Sequence, residues 1–151
     1  MKLAEALIIR SDLHKRIEQL KSRIHNNLVV QEGTLPAEDP KELIRELAAL
    51  EEELETVITR INKTNQATDF GDGKTLSDAI TKRERLMDER NFLASVVREA
   101  STGQVRYSSS EIRMIPMLDA AKVQKEVDRL AKEYRELDME LQAKNWSTEL
   151  Q

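Results

Sequence analysis

The stretch that decides the fold is Asp39-Pro40-Lys41-Glu42-Leu43-Ile44-Arg45-Glu46-Leu47-Ala48-Ala49-Leu50-Glu51-Glu52-Glu53-Leu54-Glu55-Thr56-Val57. Leu43, Leu47, Leu50, Leu54, Val57 and then Ile61 recur at alternating spacings of four and three. In a helix that spacing puts them on one stripe, with long charged side chains on either side. Asp39 is an N-cap residue, Pro40 fits the first helical position, and Glu42 completes a capping box. The stretch therefore reads as an amphipathic helix from residue 40 to about 63.

Working outward, three more segments carry the same period. Leu3, Ala6, Leu13, Ile17, Leu20 and Ile24 form the first seam. Leu76, Ile80, Met87, Leu93 and Val97 form the third, the least regular. Ala120, Val123, Val127, Leu130, Tyr134, Leu137 and Leu141 form the fourth. Thr75-Leu76-Ser77-Asp78 repeats the cap-x-x-acid form after an Asp72-Gly73 turn, Asp119 can cap the last helix, and Asn26 and Asn27 suit the end of the first. Helices are expected near 2–27, 40–63, 75–101 and 119–144, each about 35–40 Å long at ~1.5 Å per residue.

Helices of matched length predict one all-α domain over residues 1–151, an antiparallel four-helix bundle with coiled-coil-like seams. The loops are long for a bundle. Two hold strand-like fragments, Leu28-Val29-Val30-Gln31 and Ile112-Arg113-Met114-Ile115. Both would lie at the same end of an up-down bundle, so a small two-stranded β element is expected there.

Composition narrows the function classes. Of 151 residues, 34% are charged and 3% aromatic, and there is no cysteine, which removes disulfide scaffolds, thiol catalysis and cysteine zinc sites. Four Gly and three Pro argue against a turn-rich β fold. The N-terminal apolar run is interrupted by Glu5 and ended by Arg10, with no cleavage site after it, and no apolar run approaches the ~20 residues of a membrane span. A cytoplasmic protein without a membrane span is expected, which makes the glycosylation patterns at Asn62-Lys63-Thr64 and Asn145-Trp146-Ser147 chance matches.

The net charge of −4 gives no basic footprint for nucleic acid. Residues 2–25 nevertheless carry +3 and residues 41–63 carry −2, as complementary faces of an antiparallel hairpin would.

Three motifs invite chemistry. Gly71-Asp72-Gly73-Lys74-Thr75 lacks the first glycine of a phosphate-binding loop, Thr68 standing in its place, and follows a helix rather than a strand, so it reads as a turn and a cap. His14 and Glu18 share a helix face, yet Glu-x-x-His is absent, so no metal site is expected. No Ser/His/Asp constellation has a distinctive spacing. The chain reads as non-enzymatic, with no catalytic residue, no cofactor and no metal. Arg106-Tyr107-Ser108-Ser109-Ser110-Glu111 reads as a solvated polar loop.

The exceptional feature is charge inside the seams. Arg10 sits between Ala6 and Leu13, and Arg83 and Arg90 sit between Ile80 and Leu93. A buried guanidinium needs a carboxylate, an anion or a route to water. Counting levels along an antiparallel bundle puts Arg10 near Ile58, Arg83 and Asp138, at the end where Asn62, Thr64, Asn65 and Trp146 gather. The same count puts Arg90 near Ile17, Glu51 and Leu130, with Glu133 one turn away. Two outcomes follow for the first layer: a structural ion-pair network, or a pocket for a small anion or carboxylate ligand built from Arg10, Arg83, Asn62, Asn65, Asp138 and Trp146. Arg90, Glu51 and Glu133 are the candidates for a buried ion pair.

Leu7, Ile8, Ile44, Ala48, Ile58 and Met139 flank the seams and widen the apolar stripe beyond what one thin bundle covers. That predicts a homo-oligomer or a helical protein partner, hence a scaffold or partner-binding module.

The strings MKLAEALIIRSDL, EDPKELI, RINKTN, KTLSDAI, RYSSSEI, KEYRELD and NWSTEL, in this order over nearly the whole chain, resemble the bacterial septicolysin-like family of small helical proteins. The resemblance implies a pore-forming cytolysin. The chain departs from that activity in having no export signal, no long apolar segment, no hairpin with an apolar outer face and no cysteine of the thiol-activated kind. Lysis is accordingly the disfavoured expectation.

Overall fold

A computed structural model describes residues 1–102, 112 and 114–151 of the chain. In chain order the elements are α1 (Leu3–Asn26), α2 (Pro40–Ala67), β1 (Asp69–Gly71), β2 (Lys74–Thr75), α3 (Leu76–Thr102) and α4 (Ala120–Ser147). The protein is mostly helical, as the periodicities require, and the helices begin where the caps stand. Asp39 Oδ1 accepts from the Lys41 amide at 2.9 Å, and Asp119 Oδ1 accepts from the Ala121 amide at 3.0 Å. At α3 the box is reciprocal. The Thr75 amide donates to Asp78 Oδ2 at 2.8 Å, and the Asp78 amide donates back to Thr75 Oγ1 at 3.2 Å. Both orphan amides are thereby satisfied.

The chain divides into two compact units, Met1–Asp69 with Lys144–Gln151, and Phe70–Ala143. In the first, α1 and α2 pack antiparallel. Leu13, Ile17, Leu20 and Ile24 meet Leu43 and Leu50 in one buried cluster, with Ile9, Leu47, Leu54 and Val57 packed against it. Asn27 closes the hairpin. Its Nδ2 donates to the Arg23 carbonyl at 2.9 Å, and its Oδ1 accepts from the Glu38 amide at 3.0 Å. Its φ of −113° shows that the residue was suited to this place by its side-chain amide rather than by tolerance of a left-handed backbone. Arg23 adds an ion pair to Glu38 across the same connection.

The chain ends complete this unit. Lys2 and Glu149 form an antiparallel bridge, the Leu3 amide donates to the Thr148 carbonyl at 2.9 Å, and the Leu150 amide donates to the Met1 carbonyl at 2.9 Å. Thr64 is fully buried. Its hydroxyl donates to the Arg60 carbonyl at 2.8 Å and accepts from the Gln151 amide at 3.0 Å.

In the second unit α3 and α4 run antiparallel, since Lys82 reaches Glu133 at 3.0 Å and Arg83 reaches Asp138 at 2.7 Å, while residues 87–90 face 131–135. Leu76, Ala79 and Leu86 of α3 and Val127, Leu130 and Leu141 of α4 are buried. The α3 seam thus runs 76-79-83-86-90, which explains why its period looked irregular: two of its five positions are arginine.

The expected β element is in a different place. Residues 28–31 form no strand, and Leu28, Val29 and Val30 are exposed; the chain instead turns at Gln31–Thr34 with Gly33 at φ +84°. Of the other fragment, Ile112, Met114 and Ile115 form no strand, and Arg113 lies outside the described residues. The two-stranded sheet is β1–β2, a hairpin around Asp72-Gly73. Both turn residues have positive φ, 53° and 71°, as the two-residue turn matching strand twist demands. The polar loop expected at residues 106–111 lies outside the described residues.

Candidate functional site

Each seam arginine stands where a leucine would otherwise pack, and what surrounds it decides what it can do. Arg83, on the third turn of α3, is half-buried and donates from Nη1 to Asp138 Oδ1. Its charge is neutralised within the second unit, by a pair that joins α3 to α4. Arg10, in the first unit, is half-buried on α1; among the described residues it has no hydrogen bond and no ion pair. Of the other residues expected beside these two, Asn62 and Trp146 are exposed and Asn65 is half-buried, all in the first unit. The structure joins Arg83 to Asp138.

Within the second unit Arg90 makes no ion pair with Glu133, which level-counting placed one turn away. Glu133 accepts from Lys82 and, at 3.1 Å, from Arg129, and these cations hold its carboxyl below the ordinary range, the Lys82 hydrogen bond contributing most. Glu51 is exposed on α2 and acts on α1: the Lys21 ammonium is raised above its ordinary value by Glu18 first, with Glu51 adding to it. Arg90 instead donates from Nη1 to the neighbouring Asn91 Oδ1 at 3.0 Å and lines a groove with Met87, Ala131, Tyr134 and Arg135. Counting levels did not fix the Arg90–Glu133 pairing, because a helix shift of one residue rotates a side chain by about 100°.

Arg135 was missed altogether. The available signal was its spacing: Ala131, Lys132, Asp138 and Met139 are its helical neighbours, and the one carboxylate among them is committed to Arg83.

The remaining motifs resolve into structure. Gly71–Thr75 is a hairpin followed by a helix cap, and Glu18 pairs with Lys21 at 2.9 Å, not with His14. Among the described residues no group of three or more His, Asp or Glu side chains is placed to hold a metal ion. No helix among them is long and apolar enough to cross a membrane.

A second surface carries exposed apolar side chains. Ile112, Met114, Ile115, Met117 and Leu118 are 54–95% exposed. Residues 114–118 form a groove of about 300 Å³ with Val96, Glu99 and Ala100 at the end of α3. The flanking residues singled out in the sequence are divided: Ile8, Ile44, Ala48 and Met139 are exposed, Leu7 and Ile58 half-buried. No periodicity marks 112–118, since the segment has no regular secondary structure, yet its composition (four large apolar residues in Met114–Leu118, interrupted by Pro116) was legible.

The chain is similar over its full length to a solved structure, a functionally unknown conserved protein from Corynebacterium diphtheriae. The two are 40% identical, with a TM-score of 0.94 covering 100% of this chain and 99% of that one. Comparison with curated proteins gives no match. A family model described as a family of unknown function, DUF6847, matches residues 10–150. With the match extending over both helical hairpins, the chain belongs to the DUF6847 family.

Proposed function

We propose that the protein is a non-enzymatic cytoplasmic helical module that associates with a second copy of itself through the apolar segment 112–118. The observation that carries this reading is the cluster of five large apolar side chains within seven residues, each more than half exposed, beside a groove at the end of α3. Single exposed apolar residues are ordinary, but a contiguous patch marks an interaction surface. Met114 and Met117 suit one, because their unbranched thioethers adapt to an apposed surface. A second copy is the proposed occupant because an apolar patch is self-complementary, and a twofold interface buries it twice with no further surface required.

Size-exclusion chromatography with light scattering tests the proposal at micromolar concentration. The expected mass is a multiple of the 17.4 kDa chain, returning to that value in the Met114→Ser/Met117→Ser variant. A wild-type mass of one chain, or an assembly unchanged in the variant, overturns it. The cytolytic activity implied by the septicolysin-like resemblance stands outside this reading. Dye release from phosphatidylcholine vesicles by the wild-type protein would replace it.

A further inference from the structure

The groove at Arg90 is lined by two arginines. Several cations of α3 and α4 are matched: Arg83 with Asp138, Lys82 with Glu133, Arg85 with Glu89, Arg129 with Glu126 and Glu133. Arg90 and Arg135 line one groove of about 200 Å³ together with Met87, Ala131 and Tyr134, and no carboxylate lines it. Among the described residues neither guanidinium makes an ion pair, and the hydrogen bond of Arg90 goes to the neutral amide of Asn91.

The local sequence of α3 contributes to this arrangement. One turn away on either side of Arg90 stand Leu86, Met87, Leu93 and Ala94, none of them carrying a carboxylate. The acids beside the two arginines in sequence, Glu89 and Glu136, pair with Arg85 and Lys132, and Glu133 and Asp138 are held by other cations. A half-buried arginine and an exposed one therefore line one groove with no carboxylate between them, which favours an anion that can enter.

We propose that this groove binds a small organic anion, an oxyanion head of the carboxylate or phosphate-monoester type on a short apolar body. The guanidiniums of Arg90 and Arg135 offer paired N–H donors of the fork geometry that oxyanions take. Tyr134 adds a phenolic donor, and Met87 and Ala131 supply an apolar wall for the hydrocarbon part. A volume near 200 Å³ accommodates such a molecule.

Isothermal titration with phenyl phosphate, benzoate and inorganic phosphate, at constant ionic strength set by sodium chloride, tests the assignment and separates the two head groups. Phenyl phosphate or benzoate binds the wild-type protein and inorganic phosphate binds more weakly, because it lacks the apolar body. The dissociation constant rises at least tenfold in Arg90→Gln and in Arg135→Gln, and stays unchanged in Arg16→Gln, an exposed arginine of α1 outside the groove. Because Arg90 is half-buried, Arg90→Lys is measured beside it: it retains the charge and the fold by circular dichroism but loses the fork, and its affinity falls. The Nε–Hε resonances of Arg90 and Arg135 shift on addition of the tighter probe. Binding of neither organic probe, or binding that survives in both glutamine variants, overturns the proposal.

Discussion

Replacing Asn27 with alanine is expected to loosen the α1–α2 hairpin at its closed end. Asn27 is 8% exposed, and its side chain bridges the last turn of α1 to the segment entering α2 through two hydrogen bonds, at 2.9 and 3.0 Å. A typical net contribution is about 0.5–1.5 kcal/mol per hydrogen bond, giving roughly 1–3 kcal/mol for the pair. The Glu38 amide lies at a half-buried residue, so water partly replaces its lost acceptor, which brings the expected cost to about 1–2 kcal/mol. With a urea m-value of about 2 kcal/mol/M, the midpoint should fall by about 0.5–1 M. Asn26 is the internal control: it is the preceding residue, exposed, and its side chain makes no hydrogen bond among the described residues. Asn26→Ala should leave the midpoint within about 0.25 M of wild type, the usual range for surface substitutions. A shift of the same size in both variants, or a shift below about 0.2 M in Asn27→Ala, would refute the bridging role assigned to Asn27.

Leu20→Ala removes a side chain only 1% exposed at the centre of the α1–α2 cluster and should cost about 2–5 kcal/mol by urea unfolding, whereas Ile8→Ser, on a 60% exposed residue, should change stability by less than about 0.5 kcal/mol. Thr64→Val keeps the shape but deletes the acceptor for the Gln151 amide, so carboxypeptidase should trim the last residues faster than in wild type while the helix content by circular dichroism is retained. Acid stability follows from five carboxyls held below their ordinary values: Glu38 by Arg23, Asp78 by the Thr75 amide, Glu126 by Arg129, Glu133 by Lys82 and Glu149 by Lys2. A lowered folded pKa gives stability that is complete above the unfolded value, 4.5 for Glu, and is lost as pH falls through the folded one. The melting temperature should be nearly level between pH 7 and 5 and drop below about pH 4.5; a level curve down to pH 3 would contradict this assignment.

The parts of the fold written into local sequence were readable, and those that depend on distant levels were not. Asp39-Pro40, Thr75-x-x-Asp78 and Asp119 located three helix starts because a cap acts within one turn. The first two seams named the α1–α2 core, since Leu13, Ile17, Leu20, Leu43 and Leu50 lie on single stripes. The β hairpin was misplaced because β-branched content was given more weight than turn chemistry. Val29-Val30 looked like a strand, yet Asp72-Gly73 carries the backbone preference that fixes a two-residue hairpin. At the candidate site, Arg83 and Arg90 were visible as charge in a seam. Counting levels put Asp138 beside Arg83, where the ion pair stands, but did not find the neighbour of Arg90, because which group reaches which arginine depends on axial offsets between helices. Arg135 was invisible for the opposite reason: as one charge on a charged face it looks ordinary until its acidic neighbour is seen to be engaged elsewhere.

The joined ends of the first unit have a consequence for biosynthesis. Residues 1–69 are completed only by residues 144–151, so the whole of the second unit is threaded into the chain before the first can be finished. On a ribosome adding about 5–20 residues per second, the 74 residues from Phe70 to Ala143 delay the closing tail by roughly 4–15 s. The α1–α2 hairpin, whose contacts are local, can form during that interval, but the Thr64 hydroxyl lacks its Gln151 donor and residues 1–3 lack their partner segment until the tail emerges. The newborn protein therefore passes through a stage in which one helical hairpin is packed while its seal is still to be made, and this stage, rather than the finished molecule, is the one most open to proteolysis and to pairing with the wrong chain.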